Sequence, residues 1–120
     1  MNHPIDADTL LAMINGYRQS RIILTATEIG LWRALDEGTR ASADIALALG
    51  SNPRATDRLL NALCALGLVV KAENGFSHSP TSARYLSPAS EEFFHNLGHY
   101  GNLWGQWSQL TDAVRQGTAP

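Results

Sequence analysis

A chain of 120 residues, 44% hydrophobic and 17% charged, has the make-up of one ordinary globular domain. Nine Lys and Arg face eleven Asp and Glu, a formal charge of −2. That excludes a generic polyanion binder, because nucleic-acid affinity rests on surplus positive charge. The lone cysteine, Cys64, excludes an internal disulfide and favours a reducing, cytoplasmic setting.

Met1 to Leu11 carries Asp6 and Asp8 and no basic n-region, unlike a signal peptide. No apolar run approaches the ~18 residues of a membrane span. A first helix is predicted from about Asp8 to Gln19, with Leu10, Leu11, Ile14 and Tyr17 along one side. A helix this short does not persist alone in water, so it must dock on something.

A second helix is predicted from Arg21 to Glu37. Ile22, Ile23, Leu24, Ala26, Ile29, Leu31, Trp32, Ala34 and Leu35 leave it almost no polar face. A helix apolar all round needs cover on every side. One stripe can face the domain core, and the rest needs the first helix, a partner chain or both as cover, with the partner chain favoured because the remaining helices are few. Leu10, Leu11, Ile14, Tyr17, Ile22, Ile23 and Ile29 are therefore the predicted homodimer interface.

A short helix over Ser42–Leu49 follows, then a turn through Gly50-Ser51-Asn52-Pro53. Asn52 is a good N-cap and Pro53 a good first helical residue; Ser87-Pro88 offers a similar pair. The next helix, Pro53–Leu66, carries Ala55, Leu59, Ala62, Leu63 and Leu66 at helical spacing. Gly38, Gly50, Gly67 and Gly117 each follow a helix-like stretch, where a left-handed residue is wanted.

The period then changes. Leu68 to Lys71 is answered by Gly75 to His78, with a hairpin turn expected at Asn74-Gly75 of the type that needs positive φ at both central residues. A helical piece at Thr81–Leu86 and a long helix over Glu91–Gln116 complete the chain. Helix, turn, helix and hairpin in this order give a mainly α winged helix-turn-helix, flanked by N- and C-terminal helices that serve dimerisation.

In the fourth helix Arg54, Asp57, Arg58 and Asn61 are expected to face outward. They permit a free-standing winged-helix DNA-binding regulator as the alternative function. Asp57 and the negative net charge count against it. The last helix carries Phe93, Leu97, Tyr100, Trp104, Trp107, Thr111 and Val114 as a heptad-like ladder beside Gly98, Gly101, Gly105 and Ser108. Each mid-helix glycine costs about 0.8–1 kcal/mol relative to alanine. Close approach of another helix, or room for a flat ligand ring, would explain them. His95 and His99 have metal-compatible spacing but no evident third ligand. Cys64 sits among apolar neighbours as a small hydrophobe. The ten glycines include no Gly-x-Gly, so no dinucleotide-type loop is present, and no catalytic triad is evident.

These blocks resemble a known family. Ala26-Thr27-Glu28-Ile29-Gly30-Leu31-Trp32-Arg33-Ala34-Leu35 is similar to the A-x-E-L-G-L-F-D-x-L helix of class I S-adenosylmethionine-dependent O-methyltransferases, the caffeic acid and hydroxyindole type. Ala43 to Gly50 is similar to their E-L-A-x-x-L-G. Asn52 to Leu68 resembles R-x-L-R-x-L-x-x-L-G-L, and Phe76 to Leu86 resembles Y-x-L-T-P-x-G-x-x-L. The resemblance implies that residues 1–120 are a single winged-helix dimerisation domain, with the Rossmann-like catalytic domain absent from this chain. It implies that the chain is inactive alone and binds no cofactor, while the complete enzyme uses S-adenosylmethionine on a small-molecule, aromatic hydroxyl substrate. It further implies that the last helix lends His99, Tyr100 and Trp104 to the substrate pocket. The family's catalytic His does not transfer to His95 or His99, which lie in the wrong domain. The expected partners are a second copy and the substrate, with neither nucleic acid nor membrane.

Overall fold

A computed structural model describes residues 3–119. Asp6 opens the first helix, α1 (Ala7–Ile14), by accepting a hydrogen bond from the Thr9 amide at 2.8 Å. Hydrogen bonding from Thr9, its side chain first and its amide second, holds the exposed Asp6 carboxyl below its ordinary pKa. The helix ends at Asn15, not Gln19, and a second, α2 (Tyr17–Glu28), begins almost at once.

The predicted second helix is in fact two. Gly30 takes φ +81° and separates α2 from α3 (Leu31–Leu35). This resolves the apparent absence of a polar face. Four of the five α3 residues (Leu31, Trp32, Ala34, Leu35) are buried at the centre of the domain, whereas α2 buries only Leu24 and Ala26. The all-round apolar pattern is the sum of two helices broken at Gly30.

Helices α4 (Ser42–Leu49) and α5 (Pro53–Ala65) form the helix-turn-helix. Gly50, at φ +65°, ends α4, and Asn52 caps α5 by accepting from the Ala55 amide at 2.9 Å. The buried face of α5 is Thr56, Leu60 and Leu63; Ala55, expected inside, is exposed. Gly38, Gly50, Gly67 and Gly117 all have positive φ, as expected.

Strands β1 (Val69–Ala72) and β2 (Gly75–His78) pair antiparallel, Val69 opposite His78 and Ala72 opposite Gly75. The two loop residues are therefore Glu73 and Asn74, and neither has positive φ. The expected turn type is thus wrong by one residue. Gly75 is needed for another reason: Arg40 and Phe76 exchange both backbone hydrogen bonds, at 3.0 and 2.7 Å, which adds a one-residue third edge to the wing. A side chain at Gly75 would run into the Arg40 backbone.

Ser79-Pro80 starts α6 (Pro80–Tyr85) with a full capping box between Ser79 and Ser82. Ser87-Pro88 opens only turns. The long last helix is also two, α7 (Leu97–Trp107) and α8 (Leu110–Gln116), parted at Ser108-Gln109. Residues 91–96 are not helical, so the heptad ladder is interrupted at both ends. Leu31, Trp32, Leu35, Ile45, Leu60, Leu63, Val69, Phe76, Leu86 and Leu97 join in one core that α3, α4, α5 and the hairpin enclose.

Candidate functional site

Helix α1 buries no residue. Leu10, Leu11, Ile14 and Tyr17 are 49–60% exposed, and Ile5 and Met13, which the sequence pattern did not single out, are exposed beside them. Ile22, Ile23 and Ile29 behave differently. They are half-buried. Ile22 and Ile29 pack against the core, while Ile23 lines an apolar groove with Ser20, Leu24, Leu97 and Tyr100. The predicted interface set therefore divides into an exposed group, Leu10, Leu11 and Ile14 of α1 with Tyr17 at the start of α2, and a half-buried group farther along α2.

Tyr100 is 47% exposed on α7, His99 is exposed beside it, and Trp104 is half-buried against α2. A Cβ at Gly101 would stand 3.4 Å from the Glu28 carboxylate of α2, an ordinary contact that a larger residue could also make. Gly98 and Gly105 face open space. His95 lies outside α7, so it and His99 are not one helical turn apart on a common helix. Among the described residues no cluster of three or more metal-ligating side chains forms.

A larger cavity of about 360 Å³ opens where the chain turns at Gly30, between Ile29, Trp32, Leu86, Phe93 and Leu97. Its inner polar groups are already engaged. Trp32 Nε1 donates to Thr27 Oγ1 at 3.0 Å, and that hydroxyl donates to the Ile23 carbonyl.

Behind Trp32 the fold gathers Asp36, His78, Ser82 and Ser87. His78 Nε2 lies 2.9 Å from both Asp36 Oδ1 and the Trp32 carbonyl, and Nδ1 lies 2.8 Å from Ser82 Oγ. Ser87 Oγ donates to the same Asp36 oxygen at 2.6 Å. The residue types are those of a hydrolytic triad, but Ser82 is fully buried and caps its own helix, so no carbonyl substrate can reach it. The network is a structural clasp joining α3, β2 and the segment after α6.

The outward face of α5 is less available than expected. Asn61 donates to the Asp57 backbone carbonyl and accepts from Lys71 Nζ at 3.0 Å. Only Arg54 and Arg58 of the predicted four are fully exposed. Cys64 is half-buried, and burial pushes its thiol pKa up.

The O-methyltransferase dimerisation domain model matches residues 11–88. This chain belongs to that family. The domain is 33% identical over 112 residues to a human probable bifunctional dTTP/UTP pyrophosphatase/methyltransferase protein, covering 91% of the chain and 18% of the relative. It superposes on an O-methyltransferase family protein from Burkholderia thailandensis with a TM-score of 0.84 and 27% identity, covering 94% of this chain and 34% of that one. Human N-acetylserotonin methyltransferase in complex with SAM gives 0.82 and 26%, covering 98% and 37%. The dimerisation domain thus spans between about a fifth and two fifths of these relatives. The transcription-regulator alternative is not favoured by any of them.

Among the described residues no strand enters a glycine-rich turn at a helix N-terminus, the arrangement that cradles a dinucleotide's phosphates. Here β2 enters α6 through Ser79-Pro80, and the Ser79 side chain takes the Ser82 amide itself. Sequence reasoning missed the Asp36–His78–Ser87 clasp, whose members are up to 51 residues apart. It also missed Arg21, although Arg21, Thr25 and Glu28 carry the i, i+4, i+7 signal of one helix face.

Proposed function

We propose that residues 1–120 are the single N-terminal dimerisation domain of an S-adenosylmethionine-dependent O-methyltransferase, with the catalytic domain lying outside this chain. Two copies associate through Leu10, Leu11 and Ile14 of α1 and Tyr17 at the start of α2, continued by Ile22 and Ile23 of α2 and Ile29 at its end. Helix α7 lends Tyr100, Trp104 and His99 to the pocket of a small aromatic acceptor. The acceptor, the cofactor and a cytoplasmic setting belong to the complete enzyme; this chain alone holds no cofactor and transfers no methyl group. The observation that carries the reading is α1 itself: eight helical residues with no buried side chain and an apolar face turned to solvent. An isolated helix of that length is not stable in water, and membership of a dimerisation family supplies the cover.

Sedimentation equilibrium at tens of micromolar tests the proposal. The wild-type chain is expected as a dimer. Leu11→Asp is expected as a monomer that keeps its folded core and loses at most the α1 share of its helical circular dichroism, because Leu11 touches nothing in the core and a charge is costly only inside a desolvated seam. A folded wild-type monomer overturns it.

A further inference from the structure

We infer that Arg21 is a positioning residue for the acceptor pocket: its guanidinium caps one face of the Trp104 indole and fixes that ring for a flat, electron-rich aromatic acceptor. The inference rests on the reading that α7 lines the pocket. Arg21 Cζ lies 5.4 Å from the centroid of the Trp104 ring. The guanidinium is held at its edge by two partners on its own helix. Nε and Nη2 donate to Thr25 Oγ1 at 3.2 and 3.1 Å, and Nη2 donates to Glu28 Oε2 at 2.7 Å. A guanidinium bonded along its edge keeps its planar face for stacking.

The clamp also lies close to α7. The Glu28 carboxylate rests against Gly101, where a Cβ would lie 3.4 Å from Oε1. Gly101 is three residues before Trp104, so one turn of α7 receives both ends of the Arg21–Glu28 pair. Elsewhere α2 meets α7 through the apolar groove around Ile23 and Tyr100, where the contact is non-directional. At Trp104 the contact is polar and directional, and it sets the ring. The cation draws π density toward itself, so the opposite face of the indole favours an electron-rich ring such as a phenol. Because the clamp acts through Trp104 and touches no reacting atom, it affects acceptor binding, not the chemical step.

The test uses the methyltransferase in which this domain is joined to its catalytic domain, with a panel of phenols as acceptors. Arg21→Met is expected to raise acceptor KM about threefold or more, the scale of a lost cation–π contact. Both kcat and the KM for S-adenosylmethionine should stay within about twofold. Arg21→Lys, which keeps the charge, is expected to recover part of the loss, and Thr25→Val, which frees the guanidinium edge, to fall between. If Arg21→Met does not fold, the Lys and Val variants carry the same expectation. A 5-fluorotryptophan label at Trp104 should shift its resonance in each variant. If Trp104→Leu raises acceptor KM while the Arg21 and Thr25 variants change only the melting temperature, Arg21 is structural and the inference is wrong. If Trp104→Leu leaves acceptor KM unchanged, the pocket-lining reading falls, and this inference with it.

Discussion

The α-carbon of Gly75 lies against the Arg40 carbonyl so closely that a Cβ would stand well inside 3.0 Å of that backbone. Gly75 also takes φ +138°, a region that L side chains rarely adopt. Gly38 has positive φ as well, at +103°, but nothing within 4 Å of a Cβ. The pair separates strain from overlap. Gly38→Ala should cost about 1 kcal/mol, the conformational term alone. Gly75→Ala should cost about 2–4 kcal/mol, because the wing must also release Arg40. Urea denaturation midpoints at equal m-value check both figures.

Asp36 is the shared acceptor of His78 and Ser87, and His78 is only 10% exposed at its side chain. Asp36→Ala leaves the nearly buried Ser87 Oγ, which still accepts from the Ala89 amide, without an acceptor for its own proton. The expected loss is about 1–3 kcal/mol, the range for stranding buried polar groups. Ser87→Ala removes a donor from an acceptor that keeps His78, and should cost about 1 kcal/mol or less. Equal losses in the two variants would show that the clasp is not shared in this way.

Glu92 accepts from the Arg84 guanidinium, Nη2 donating to Oε1 at 3.1 Å. The pair ties α6 to the non-helical segment before α7. The Arg84 hydrogen bond is the main cause that lowers the Glu92 pKa below its ordinary 4.5. Stability from a lowered carboxyl pKa is present above the unfolded value and is lost as pH falls through the folded one. The Glu92 contribution is therefore expected intact above about pH 4.5 and lost only on further acidification. Both side chains are exposed, so the effect is small and salt-sensitive. Melting curves of the wild type and Glu92→Gln should converge as pH drops, and differ less in 1 M salt. Curves that diverge on acidification would contradict it.

The chain should take up neither S-adenosylmethionine nor duplex DNA. The first follows from β2 entering α6 through Ser79-Pro80 with its capping amide already used. The second follows from the charge of −2 and from Lys71 being engaged by Asn61. Calorimetric titration with the cofactor, and a mobility shift at low salt, decide these separately. Micromolar cofactor binding, or a complex that weakens steeply with salt, would overturn the respective expectation.

The order of elements was legible because punctuation and period agree. Asn52-Pro53 caps α5, four glycines end helical stretches, and β-branched Val69 and Val70 mark the switch to strand. The helix breaks were less legible. Gly30 stands inside an uninterrupted apolar run, and a pattern alone cannot tell an interior glycine from a left-handed one. The α7–α8 break at Ser108-Gln109 carries no Gly or Pro. There Ser108 Oγ donates back to the Trp104 carbonyl, a local competitor of the helix ladder. Tertiary contacts such as Arg40 with Phe76 leave no trace in spacing. Of the candidate site, the exposed α1 stripe was readable from its period. The half-covered state of Ile22, Ile23 and Ile29 was not, since it depends on where α7 returns to lie.

Helix α1 gives the molecule two independent reporters of order. Its backbone amides are bonded within the helix but share no buried side chain with the core. Hydrogen exchange in α1 is then decoupled from global unfolding. At low protein concentration the α1 amides should exchange almost as freely as an unstructured peptide, while those of α3 and α5 remain protected. On the proposed α1 interface, α1 protection should climb as concentration rises through the dissociation constant, and the α3 and α5 values should move far less. Ordering of the first eight helical residues thus becomes a direct count of assembled molecules.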